Sequence, residues 1–132
     1  MPLELPSSLS PSKVSSFTEC ALAFRFSAID RLPDPPTVAT VRGTLVHSAL
    51  ERLMLLPPSE RTPPAGQQCL REAFVAMADD PELVSLDLDG GASEGLVAEA
   101  ATLVEKYFAL EDPSLVTPIG LELKLDVEID GL

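Results

Sequence analysis

The chain has a single histidine, and the residues around it are the ones best placed to do chemistry. His47 lies in the run Arg42-Gly43-Thr44-Leu45-Val46-His47-Ser48-Ala49-Leu50-Glu51. On a helix, Gly43, His47 and Glu51 fall on one stripe at four-residue spacing, bordering the apolar face. Glycine inside a helix costs ~1 kcal/mol relative to alanine, so Gly43 reads as making room beside the imidazole one turn later. A neutral imidazole next to a carboxylate can ligate a metal or hold a water. It can equally be a boundary side chain, hydrogen-bonded and idle. Cys20, in Phe17-Thr18-Glu19-Cys20-Ala21, is either a small core residue or one thiolate of a cluster completed elsewhere. Cys69, between Gln68 and Leu70, reads as packing. Lys13, Arg25 and Arg42 could touch phosphate, or simply keep the surface solvated.

Several other chemistries lack their residues. No G-x-x-x-x-G-K-S/T loop, G-x-G-x-x-G turn, C-x-x-C pair, H-E-x-x-H helix or G-x-S-x-G elbow occurs, which weakens nucleotide-binding, zinc and hydrolase-triad readings. The 132 residues suffice for one domain with a modest core. Hydrophobic residues are 45% of the chain, too many for a disordered acidic tail. No apolar run reaches membrane-spanning length. The opening MPLELPSSLSPSK lacks a basic start and an apolar stretch. Neither a secretory signal nor a membrane partner is read, and a cytoplasmic setting with reduced thiols is expected.

Nine basic residues against 21 acidic ones give a formal charge of −12, against a generic nucleic-acid coat protein. The imbalance is local. Residues 1–56 are neutral, with Lys13, Arg25, Arg31, Arg42 and Arg52 matching Glu4, Glu19, Asp30, Asp34 and Glu51. The whole excess falls in 57–132, so a polyanion could approach the first part and would be repelled by much of the second.

The elements that must position these residues are mostly helical. Ser10-Pro11 is a helix start, and Val14, Phe17, Ala21, Phe24 and Ala28 predict one buried face over 11–29. Leu32-Pro33-Asp34-Pro35-Pro36 interrupts it. A second helix over 38–55 has the stripe Val41, Leu45, Val46, Ala49, Leu50 and Leu53. A third is expected at about 65–78 and a fourth at 93–110, the latter capped by Ser93. The period then changes. Residues 119–129 alternate apolar and other side chains, which predicts a half-buried strand, and Asp130-Gly131 is a hairpin turn signal. A lone amphipathic strand cannot satisfy its backbone, so the chain reads as cut within a hairpin, or as borrowing a strand from another chain.

The segment from Leu9-Ser10-Pro11-Ser12-Lys13 through Phe17-Thr18-Glu19-Cys20 and Phe24-Arg25-Phe26, together with Arg42 to Glu51, resembles the N-terminal part of RecB-type nucleases. These belong to the PD-(D/E)XK superfamily and include CRISPR-associated relatives. The resemblance spans roughly residues 7–56, and Ala21 departs from it, since many relatives carry proline there. It implies that His47 helps bind a catalytic Mg²⁺ or Mn²⁺. It implies that Cys20 is the early ligand of a 4Fe–4S cluster whose other three cysteines would lie beyond residue 132. It implies that the aspartate of a following strand, the D/E-x-K motif and a glutamine-bearing helix lie beyond residue 132.

The fold expected is therefore α/β, restriction-endonuclease-like, represented by a truncated and mainly helical N-terminal part of one domain, 1–132, that ends in a β-hairpin strand. The parent would be a metal-dependent DNA exonuclease of recombination or repair type, acting on single strands or duplex ends, with a helicase or other DNA-processing subunit as partner. This chain alone would be inactive. The alternatives are a non-catalytic helical interaction module or degenerate nuclease domain in a DNA-processing complex, and a small acidic protein that completes its sheet with a partner strand.

Overall fold

A computed structural model describes residues 4–128. They fall into two compact units, one ending at Pro35 and one beginning at Pro36.

The first unit starts where the sequence supplies a cap. Ser10 Oγ accepts from the Lys13 backbone N–H at 3.3 Å and Pro11 takes the first helical position of α1 (Pro11–Glu19). The single helix expected over 11–29 does not form. Cys20 adopts an extended backbone and ends α1, then caps the short α2 (Ala21–Phe24), which runs into a π-helical turn, Arg25–Ile29. The Thr18 hydroxyl donates back to the carbonyls of Val14 and Ser15 just before the break, but Thr44 and Thr102 make the same kind of bond inside the unbroken α3 and α6. Phe24 is the one buried side chain of this unit among the described residues, and its ring meets Phe17 edge-on at 5.4 Å.

The second unit is a three-helix core. α3 (Val38–Leu55) begins with a capping box in which Thr37 Oγ1 accepts from Thr40 N at 3.2 Å and Thr40 Oγ1 from Thr37 N at 2.9 Å. α4 (Pro63–Ala76) is capped by Thr62 and starts on Pro63, two residues before the expected position. A short α5 (Pro81–Ser85) follows. α6 (Gly90–Leu110) is capped by Asp89, not Ser93: the Asp89 carboxylate accepts the Ala92 N–H at 2.7 Å, which adds a turn to the expected helix. Val41, Leu45, Ala49 and Leu53 are buried on α3, Cys69, Leu70 and Ala73 on α4, and Leu96, Ala100 and Val104 on α6. Alanines at the crossings let the backbones approach closely. Gly66 makes the tightest of these approaches: a Cβ there would lie 2.8 Å from Phe108 Cε2 and 3.1 Å from Val104 Cγ1. No helix of the described residues is long and apolar enough to cross a membrane.

Arg61 is a buried cation without a carboxylate partner among the described residues. Its Nε donates to the Leu56 carbonyl (2.9 Å), Nη2 to Met54 (3.0 Å), and Nη1 to Pro113 (3.0 Å) and Val116 (2.8 Å). The guanidinium thus ties the C-terminal end of α3 to the chain leaving α6.

The expected α/β fold is corrected at the C-terminal segment. The described residues form helices and no strand or sheet. After a 3₁₀ turn, Pro113–Leu115, the segment to residue 128 has no regular secondary structure. Leu123, Leu125 and Val127 are mostly exposed. Alternation specifies which face a strand would bury, but a strand exists only where a second one takes up its N–H and C=O groups, and no such partner occurs among the described residues. Residue 129 and the turn signal Asp130-Gly131 lie outside the described residues.

Two glycines test this packing. Gly66→Ala should destabilise the chain by about 1–3 kcal/mol through overpacking against α6. Gly43→Ala, where an added Cβ meets nothing within 4 Å, should stabilise it by up to ~1 kcal/mol. Chemical denaturation measures both. Shifts of the same sign would contradict the packing described.

Candidate functional site

α3 carries the centre of the site. His47, Leu50, Glu51 and Met54 project from it, Tyr107 comes from α6, and Leu121 and Glu122 close one side. Together they line a shallow cavity of about 170 Å³. His47 and Glu51, one helical turn apart, share its wall, as their spacing implies.

His47 Nδ1 lies 3.5 Å from Glu122 Oε1. The side chains are 75% and 63% exposed, so the pair is open to solvent, ions and substrate rather than locked in a core. Glu122 has φ 49°, a left-handed conformation uncommon for a residue with a Cβ. The segment bends where its carboxylate meets the imidazole. Gly43 borders open space, which fits the accessibility of the stripe.

Tyr107 forms the aromatic wall. Its hydroxyl donates to Glu111 Oε2 at 2.8 Å. Burial, then the hydrogen bond to Glu111 and that carboxylate's charge, push its pKa up to about 12, with the Arg61 charge acting the other way. Tyr107 stays neutral at ordinary pH and donates toward Glu111.

The other residues singled out in the sequence are dispersed. Cys20 is exposed in the first unit. Cys69 is buried in the second, where burial and the nearby Glu72 charge raise its thiol pKa and Arg52 partly offsets them. Lys13 donates to the Ser8 carbonyl at 3.0 Å, Arg25 pairs with Asp30 at 3.2 Å, and Arg42 pairs with Glu99. Lys13 and Arg25 lie in the first unit and Arg42 in the second. Among the described residues no three His, Cys, Asp or Glu side chains gather as a metal site.

Glu122, Tyr107 and Arg61 were not singled out by sequence reasoning. A signal existed for the first. The letters E-x-K do occur, at Glu122-Leu123-Lys124, although Lys124 faces Asp126 at 3.8 Å and both are exposed. The contact of Glu122 with a histidine 75 positions earlier has no local signature.

Tyr107 is the only tyrosine and the chain has no tryptophan, so tyrosinate absorbance reports this site alone. Its ionisation is expected near pH 12, and lower in Glu111→Gln. The unfolded chain gives up this proton first, near its ordinary pKa of about 10, so stability should fall as pH rises from there toward 12. A folded-state midpoint at the ordinary tyrosine value would contradict the wall geometry.

Residues 8–132 match the family model of the PD-(D/E)XK nuclease superfamily. No curated protein and no solved structure matches the chain. Nucleases of this superfamily generally use Mg²⁺ or Mn²⁺. With nearly its whole length matched, the chain belongs to the PD-(D/E)XK nuclease superfamily, a membership that implies nucleic-acid binding and a nuclease-type function.

Proposed function

We propose that the chain is the N-terminal part of a RecB-type nuclease domain whose parent protein is a DNA exonuclease of recombination or repair type, hydrolysing phosphodiesters with a divalent metal. The observation that carries this reading is His47, exposed on α3 within a matched nuclease domain and facing the Glu122 carboxylate. The resemblance of residues 7–56 to RecB-type proteins supports the finer assignment.

The donor set bears on the metal. His47 and Glu122 offer one nitrogen and one carboxylate oxygen at an open site, and Mg²⁺ characteristically takes few protein ligands and keeps several waters. These two residues would hold one side of an ion, with Glu51 on the same cavity wall. A bound divalent ion would activate water and screen the scissile phosphate. This chain's own contribution is positional. α3 fixes the imidazole, and the bend at Glu122 turns a carboxylate toward it beside the apolar Leu50, Met54 and Leu121. The remaining carboxylates and the lysine of such a site are proposed to lie outside these 132 residues, so the chain alone is inactive.

An iron–sulfur cluster finds little support. It needs four thiolates, and the chain's two cysteines are one exposed and one buried in the helical core. Cys20 would serve only with three ligands from elsewhere. Two free thiols fit a cytoplasmic setting. A helicase or other DNA-processing partner rests on the resemblance alone. A second reading, a degenerate domain serving as a helical interaction module, is favoured by one observation: no three metal-ligating side chains meet among the described residues.

The single histidine makes the metal reading testable by NMR. Mn²⁺ should broaden the His47 ring protons before other side chains, and Glu122→Gln should raise the Mn²⁺ concentration required several-fold. Uniform broadening, or no difference in the variant, would refute it. The 132-residue chain should leave linear single-stranded DNA intact with Mg²⁺ or Mn²⁺. Cleavage that disappears in His47→Ala would overturn the inactivity.

A further inference from the structure

The second unit has six cations, Arg42, Arg52, Arg61, Arg71, Lys106 and Lys124, in a strongly acidic stretch. Three are engaged. Arg42 pairs with Glu99, Lys124 with Asp126, and Arg61 donates to four carbonyls. Of the others, Arg52 from α3 and Arg71 from α4 line one cleft of about 370 Å³, together with Gln68, Glu72, Val75 and Ala76.

The cleft is arranged for an anionic oxygen. Arg52 Nε is buried and donates to no acceptor among the described residues. A buried guanidinium N–H without an acceptor is costly, and a charged oxygen is the strongest partner it can take. Arg71 is held in place: its Nε and Nη2 donate to Gln68 Oε1 at 3.1 and 2.7 Å, while Gln68 Nε2 donates to Glu72 Oε1 at 2.9 Å. That leaves Arg71 Nη1 without a hydrogen bond among the described residues. Two guanidiniums face one carboxylate, so the cleft is locally positive within an acidic unit. Planar guanidiniums suit phosphate oxygens.

We propose that this α3–α4 cleft is a backbone-phosphate subsite for a nucleic-acid strand, with Arg52 and Arg71 as its clamp. The proposal rests on the nuclease reading and extends it by assigning the strand a place. Arg52 sits five residues after His47 on the same helix. That is about 7.5 Å further along the axis. Five residues also turn about 140° around the axis, so the cleft and the imidazole occupy different faces of α3, and a strand reaching both would wrap around that helix. Glu72 tempers the attraction.

Fluorescence anisotropy of a labelled single-stranded oligonucleotide, titrated with the full chain at rising NaCl, tests this. The wild-type chain should bind, with log K falling linearly with log salt. Arg71→Gln, a change at an exposed side chain, should weaken binding about 3-fold or more, and Arg52→Gln/Arg71→Gln about 10-fold or more. The double variant's salt slope should drop by about 1.4, at ~0.7 per phosphate lost. Glu72→Gln should tighten binding. Lys106→Gln, the same charge change as Arg71→Gln but outside the cleft, should leave the slope nearly unchanged. If the wild-type chain binds and the double variant keeps its slope, the cleft assignment is wrong while the nuclease reading stands. If the wild-type chain binds no oligonucleotide at low salt, both fall. Inorganic phosphate that perturbs the arginine side-chain resonances while the oligonucleotide does not would mark a free-anion site and overturn the proposal.

Discussion

A buried guanidinium holds this architecture in register. Arg61 gives its hydrogen bonds to carbonyls at the end of α3 and to carbonyls of the segment leaving α6. A charge so far from water persists only when its donors are satisfied, so the two chain segments are fixed relative to each other. The segment anchored at Pro113 and Val116 then reaches Leu121 and Glu122, which close the His47 cavity. Arg61, which takes no part in the site's chemistry, thus anchors the start of the segment that closes it.

The helical core supplies the second constraint. α3 packs on both α4 and α6, and its buried stripe leaves the His47–Glu51 edge free for the cavity. Small residues at the crossings bring the three backbones close, and Gln67 adds a hydrogen bond across α4 and α6, to the Ala101 carbonyl at 3.1 Å. Such an arrangement presents an imidazole from a rigid helix while its counterpart, Glu122, comes from an irregular segment. Charge follows the same division: cations in the second unit are paired, caged by carbonyls or gathered at the α3–α4 cleft, with Lys106 apart.

Local patterns were legible where local forces decide. The Ser10 cap and the α3 stripe of Val41, Leu45, Ala49 and Leu53 could be read because propensity, capping and burial agree there. The break at Cys20 could not, since the apolar period continues across it. The alternation after Ile119 has the period of a strand, but periodicity carries no information about a pairing partner. His47 was visible from its type and spacing. Its neighbour Glu122 was not, because that contact depends on where Arg61 anchors a distant segment. Arg61 itself, in a proline-rich loop, gave no sign of burial.

The account depends on the imidazole of α3 meeting the C-terminal segment. Nuclear Overhauser spectroscopy on the intact chain measures this contact directly, since one histidine gives one set of ring signals. Cross-peaks from the His47 ring to the side chains of Glu122 and Leu121 are predicted. A well-dispersed spectrum in which the ring shows contacts only to its own helix would contradict the account.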